Sequence, residues 1–294
     1  MPDIEALIQY IAERRARENG CSGYTFIREL PPNIRDTFFA LSCLKMLKAD
    51  SPDREIACFI SSYDYFDLGG AYYAVMCLDL IGANVDIQEG MLKWCYGGDE
   101  QATPCTFPST PLISYFKYDL YGMYGSSIFS SPLSAILKRI ELGEPELDQG
   151  LINTLIALLK TSSQQDLMIT YMVLEILRAI ERRGCPVSIS SSNTKLIRAF
   201  LKRCTTRKGY VANPSASSVT LESTYAGHMV AQYLGIPDPL GIRSFIDSLQ
   251  NSNGGFRRTS FGGISTLESC YLAMSIIADI TTLREENQPT TIEV

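Results

Sequence analysis

Two glutamates occupy matching positions in a short motif that occurs twice in the chain, at 222–225 (ESTY) and 268–271 (ESCY). A carboxyl group in an apolar cavity has a raised pKa and can act as a general acid. Two such carboxylates could instead hold a hard divalent cation such as Mg²⁺. The structural alternative is strongest for Glu268, because Ser265 and Glu268 match a capping box in which the carboxylate only bonds a backbone amide. Val219 stands at the corresponding place before Glu222, so Glu222 is the better candidate acid.

Two adjacent arginines, Arg257 and Arg258, follow directly after the segment 254–256 (GGF). Two guanidinium groups can hold the diphosphate of a ligand through charge-assisted hydrogen bonds. The alternative is an exposed pair that is simply solvated. Both arginines are predicted ligand contacts at an anionic head group.

Aromatic side chains recur at one helical position and could line an apolar cavity, where their faces would stabilise a carbocation. The alternative is that the rings only pack one helical hairpin on the next. These residues are Phe38, Tyr72, Tyr115, Tyr171, Tyr225 and Tyr271.

The chain has one histidine, His228, which lies in an apolar helical run four residues past Thr224. It is a candidate ligand contact. The favoured alternative is a hydrogen-bonded core histidine, because buried polar groups are generally hydrogen-bonded.

Helical periodicity dominates the chain and strand alternation is nearly absent, which predicts an all-α protein. A step from a small residue to an aromatic one marks six units, each predicted to be a hairpin of an outer and an inner helix. Such units bury their apolar faces by stacking on one another, either as an open solenoid or as a ring. We predict a single domain over residues 1–283 and a polar tail over 284–294. The six steps are Thr37-Phe38, Ala71-Tyr72, Ser114-Tyr115, Thr170-Tyr171, Thr224-Tyr225 and Cys270-Tyr271.

Composition excludes several function classes. The net charge of -6 and the pI near 5.0 argue against a nucleic-acid partner, which needs a basic surface. No stretch approaches the roughly 18 apolar residues of a membrane span. The nine cysteines are scattered singly along the chain, which favours reduced thiols and a cytoplasmic location.

The segment 250–256 (QNSNGGF) fits the Q-x-x-x-G-x-W/F repeat of squalene and oxidosqualene cyclases. Together with 266–271 (TLESCY), it also resembles the repeat of protein prenyltransferase β subunits. The resemblance implies a closed (α/α)6 toroid of six helical hairpins. It also implies that the residue three before each inner-helix aromatic points into the mouth of the ring. In this chain those residues are Arg35, Gly69, Leu112, Met168, Glu222 and Glu268.

The residues at these positions argue against two activities of these families. Where prenyltransferase β subunits carry zinc-binding Asp, Cys and His, this chain has Glu222, Thr224 and Glu268, which make a poor zinc site. Where the cyclases carry their D-x-D-D-T-A acid, the segment 33–37 (NIRDT) has a permanently charged Arg35 in place of the proton donor. We therefore expect no cofactor, with Mg²⁺ involved only if the ligand is a diphosphate.

The leading hypothesis is a toroid that binds a polyprenyl or terpenoid-like ligand in its centre and cyclises or transfers it without zinc. Glu222, Glu268 and Asp36 are the candidate catalytic groups, and Arg35 is predicted to bridge to Glu268 if the sixth unit meets the first. The alternative is a non-catalytic toroid that serves as a binding or protein-interaction module. A protein partner or a second copy of the chain is also compatible with either hypothesis.

Overall fold

The computed structural model describes residues 2–51, 53–62, 68–83, 149–162 and 166–286, and the single helical positions 133, 137 and 140. The predicted site positions Leu112 and Tyr115 lie outside these residues, as do positions 287–294 of the predicted tail. Within the described ranges, no helix is long and apolar enough to cross a membrane.

Helices form nearly all of the regular structure in the described ranges. The last helix continues past the predicted domain boundary at residue 283. The elements are α1 (Ile4–Ala12), β1 (Arg15–Glu18), β2 (Cys21–Tyr24), α2 (Ile34–Met46), α3 (Asp53–Ser62), α4 (Leu68–Leu80), α5 (Gln149–Ser162), α6 (Leu167–Arg182), α7 (Ser191–Cys204), α8 (Leu221–Leu234), α9 (Ile242–Asp247) and α10 (Leu267–Glu286).

In the described ranges, the second helices of the predicted hairpins pack side by side, and the second helix of the third predicted hairpin lies outside these ranges. We call these five, α2, α4, α6, α8 and α10, the inner helices. They lie side by side in the order α6, α8, α10, α2, α4, while α5 packs on α6, α7 on α8 and α3 on α4. Helix α10 therefore lies against α2, which confirms the prediction that the last hairpin abuts the first. One continuous apolar core lies between these helices.

The N-terminal helix α1 is held by the turn of the last hairpin. The Gln250 side chain accepts a hydrogen bond from the Asp3 amide at 2.7 Å and donates one to the Asp3 carbonyl at 2.8 Å. Gly254 has a φ of +84°, and a Cβ there would lie 2.0 Å from the carbonyl oxygen of Ala6. The glutamine and the glycine of the QNSNGGF segment thus join the two ends of the described fold.

A short pair of strands near the N-terminus is an exception to the predicted near absence of strands. Helix α1 ends at Ala12, and β1 and β2 form an antiparallel hairpin. Asn19 and Gly20 lie between the strands with φ of 51° and 81°. Asn-Gly is the preferred pair for a two-residue turn that needs positive φ at both positions, so the hairpin did have a local signal.

The expectation that the thiols are reduced is wrong for one pair. Cys21 of β2 and Cys58 of α3 form a disulfide with a Cα–Cα distance of 5.5 Å, while Cys43, Cys77, Cys185, Cys204 and Cys270 are free. Strand β2 packs against α3, which brings together two cysteines that are 37 residues apart.

Candidate functional site

The predicted mouth residues that the structure describes stand at one register position of the inner helices. Asn33, Thr220 and Thr266 each accept a backbone amide hydrogen bond at a helix start, so Arg35, Glu222 and Glu268 are all second helical residues. The capping partner of Thr266 is the Ser269 amide, at 2.9 Å. The prediction that Ser265 and Glu268 form a capping box is therefore wrong, and the Glu268 side chain bonds elsewhere.

Two ion pairs involve these three residues. Arg35 of α2 contacts Glu268 of α10, as predicted from the meeting of the last and first hairpins. Arg258, in the loop before α10, contacts Glu222 of α8 with its Nε 2.8 Å from Oε1. The Glu222 side chain is only 15% exposed and that of Arg258 is 55% exposed. The other carboxylate oxygen of Glu222, Oε2, is buried without a hydrogen-bond partner.

Burial raises the pKa of Glu222 above its ordinary value, and the neighbouring Glu268 carboxylate adds to the rise. Arg258 opposes both effects. In the structure, the cation paired with Glu222 is Arg258, a half-exposed side chain on a neighbouring loop.

Asp36 belongs to the start of α2. Its carboxylate accepts a hydrogen bond from the Asn33 side chain, and its amide donates to Asn33 Oδ1 at 2.9 Å. Burial raises the pKa of Asp36, against the effects of Asn33, Arg35 and the Phe26 amide. These contacts give Asp36 a role in capping the helix.

In three of the hairpins, the small residue before the aromatic faces the turn of its own hairpin. Thr37 Oγ1 accepts the Tyr24 amide at 2.9 Å, and Cys270 Sγ accepts the Phe256 amide at 3.4 Å. Thr224 packs on Gly209, where a Cβ would lie 2.8 Å from Thr224 Oγ1. Thr224 therefore packs on the turn of its hairpin, while Glu222 and Glu268 are paired with arginines, an arrangement that does not fit a zinc site. Among the described residues, no group of three or more His, Cys, Asp or Glu is placed to hold a metal ion.

Among the described residues, the recurring aromatics form a layer about one helical turn from the ion pairs, since a separation of three residues corresponds to about 4.5 Å along a helix. The ring centroids of Tyr171 and Tyr225 are 5.6 Å apart, and those of Phe38 and Tyr271 are 5.8 Å apart. Tyr73, which was not predicted, joins the layer 5.3 Å from Phe38 and is more buried than its neighbour Tyr72. The sequence did carry a signal for Tyr73, because two adjacent aromatic residues occur both in Phe38-Phe39 and in Tyr72-Tyr73.

The two candidate arginines have different environments. Arg257 Nη1 donates to Asn251 Oδ1 at 3.1 Å, and its Nη2 donates to the Ser248 carbonyl at 3.1 Å. Arg257 thus bonds to the loop from which it comes, whereas Arg258 reaches across to Glu222. The alternative of an exposed and simply solvated pair does not describe these two side chains.

His228 is completely buried and lies in a separate polar cluster. Its Nδ1 is 2.7 Å from Asp238 Oδ2 and its Nε2 is 3.1 Å from Asp279 Oδ2, and Tyr210 donates its hydroxyl to Asp238 at 3.0 Å. Burial by itself lowers the pKa of His228, but the hydrogen bonds and charges of the two aspartates raise it to about 9. His228 therefore occupies the hydrogen-bonded core position that the sequence favoured over ligand contact.

Comparisons with known proteins agree on the architecture. Residues 54–293 match the family model of the prenyltransferase α-α toroid domain. Among solved structures, the chain is similar to the type II terpene cyclase MstE from Scytonema in complex with its product merosterolic acid A. The TM-score is 0.50 at 12% sequence identity, and the match covers 96% of each chain. A comparison with curated proteins gives no match. The (α/α)6 toroid fold implied by the family resemblance is confirmed.

Proposed function

Because the chain belongs to the prenyltransferase α-α toroid family, we propose that it binds a polyprenyl or terpenoid-like ligand in the centre of its ring. The family includes proteins that act on isoprenoids, and the similar cyclase structure holds a terpenoid product. Apolar chains of this kind are recognised mainly by apolar and aromatic walls with a few polar groups. In this chain, those groups would be the ion pairs at the mouth and the aromatic layer below them.

The observation that carries the proposal is the position of Glu222. Its carboxyl group is largely buried, one of its oxygens has no hydrogen-bond partner, and Tyr225 lies one helical turn further along α8. Burial raises its pKa, which favours the protonated form that a general acid requires. Glu268 is the weaker candidate because its cation partner, Arg35, is less exposed than Arg258, the partner of Glu222.

The reaction we propose is proton-initiated cyclisation or isomerisation. The O–H bond of protonated Glu222 breaks while the π electrons of a ligand alkene form the new C–H bond, which leaves a carbocation on the adjacent carbon. The faces of Tyr225 and Tyr271 stabilise that positive charge. Loss of a proton from a neighbouring carbon to water then restores a neutral product, and Glu222 regains its proton from solvent.

A second candidate function is a non-catalytic toroid that binds a ligand or another protein. It is favoured by the arginine partners of Glu222 and Glu268, because an ion pair stabilises the carboxylate that cannot donate a proton. The contacts between aromatic rings would then serve packing of the inner helices.

The test is incubation of the purified protein with squalene, 2,3-oxidosqualene and geranylgeranyl diphosphate, with and without Mg²⁺, followed by mass spectrometry. We expect a cyclised or rearranged product from the wild type and at least a 100-fold lower yield from Glu222→Gln, which removes the donated proton without changing side-chain size. Glu268→Gln should have a smaller effect. Binding without any product would favour the non-catalytic module, and absence of binding to all three compounds would overturn the proposal.

A further inference from the structure

We propose that Arg258 couples the binding of an anionic head group at the mouth to protonation of Glu222. An incoming diphosphate replaces Glu222 as the partner of Arg258, and the unpaired Glu222 carboxylate then binds a proton. This inference rests on the proposed ligand-binding function and specifies how the mouth recognises a charged ligand.

Arg258 is the side chain that can change partners. It is half exposed, and its ion pair with Glu222 is made through Nε. Its main chain is fixed, because the Arg258 carbonyl accepts the Leu221 amide at 2.9 Å. Arg257 differs because its guanidinium makes two hydrogen bonds within its own loop. A guanidinium on a fixed backbone can turn toward an anion without unfolding the loop.

Glu222, in contrast, cannot follow Arg258 outward. It is the second residue of α8, its side chain is largely buried, and its Oε2 atom has no hydrogen-bond partner. Removing Arg258 would leave this carboxylate buried without a cation, which is strongly unfavourable. Binding a proton relieves that cost.

The remaining charged groups around Glu222 do not replace Arg258. Glu268 of α10 is a like charge that disfavours the ionised form of Glu222. Arg35 of α2 is paired with Glu268. On the other side, the matching residue of α6 is Met168, which has no charge, and Asp166 accepts the backbone amides of that helix. Binding of one anion at Arg258 is therefore accompanied by the uptake of one proton by Glu222.

The experiment is isothermal titration calorimetry of the full chain with inorganic pyrophosphate at pH 7, in buffers of different ionisation enthalpy. The dependence of the heat on the buffer gives the number of protons taken up. Because pyrophosphate itself titrates near this pH, the informative quantity is the difference between wild type and Glu222→Gln. We expect the wild type to take up as much as one proton more than Glu222→Gln. The variant should bind pyrophosphate at least as tightly, because no carboxylate competes for Arg258.

Two further variants separate the steps. Arg258→Gln should weaken pyrophosphate binding at least tenfold, and Arg258→Lys should keep part of the affinity because it keeps the charge. Arg243→Gln is the matched control, since Arg243 also pairs through Nε with a carboxylate, that of Asp247 at 3.1 Å, and lies on α9. Thermal unfolding of each variant by circular dichroism verifies that it is folded.

Equal proton uptake by wild type and Glu222→Gln would overturn the coupling and leave the proposed ligand binding intact. Absence of pyrophosphate binding would also overturn it. In that case the incubation with neutral squalene and oxidosqualene decides the proposed function independently.

Discussion

Raising the pH through 9 should remove a stabilising charge from the centre of the last two hairpins. His228 of α8 is buried between Asp238, which follows α8, and Asp279 of α10. The pKa of His228 is raised to about 9, although burial alone would lower it, because both carboxylates favour the imidazolium form. At neutral pH the imidazolium therefore links α8, its following loop and α10.

The contribution of His228 to the free energy of unfolding follows from the shift in its pKa. A histidine whose pKa rises from 6.5 when unfolded to about 9 when folded contributes about 3 kcal/mol, at about 1.36 kcal/mol per unit. Because Asp279 is 41% exposed, water screens part of this effect, and we expect about 2 kcal/mol. A raised pKa makes the contribution fully present below pH 6.5 and lost as the pH rises through about 9.

The assay is urea-induced unfolding of the wild type and His228→Gln between pH 6 and pH 10. Buried tyrosines and cysteines also resist deprotonation, so both proteins will lose stability in alkali, and the difference between them isolates the histidine. The wild type should exceed the variant by about 2 kcal/mol more at pH 6 than at pH 10. A difference in free energy of unfolding that stays constant with pH would refute the argument.

Two further predictions concern elements that hold the fold together. Gly254→Ala should destabilise the protein by about 3 kcal/mol or more in urea unfolding, because the added Cβ would overlap the Ala6 carbonyl at a positive φ. The control Gly184→Ala, with a positive φ but open space, should cost only about 1 kcal/mol, and equal losses would contradict the steric explanation. Replacing Cys58 by Ser should lower the free energy of unfolding under non-reducing conditions by about 4 kcal/mol, because the disulfide with Cys21 closes a loop of 37 residues. Dithiothreitol should bring the wild type to the level of this variant, and an unchanged wild type would contradict the prediction.

Local patterns in the chain were enough to place the candidate site on its helices. The small-to-aromatic step acts within one or two helical turns, and it correctly aligned Arg35, Glu222 and Glu268. The ion pair between Arg35 and Glu268 followed once the last hairpin was placed against the first. The β-hairpin at Asn19 and Gly20 was also locally encoded, but helical periodicity in the preceding residues obscured it.

The amino-acid sequence by itself therefore determined the repeat, the family, the register of the mouth residues and the poor match to a zinc site, since all of these depend on near neighbours in the chain. The tertiary structure decided the partners of the buried charged groups. Asp279 lies 51 residues from His228, and the loop before α10 brings Arg258 to Glu222. Such pairings depend on how separate helices and loops pack. A glutamate in a repeated motif is thus a candidate acid in the sequence, and only the path of a neighbouring loop sets which cation pairs with it.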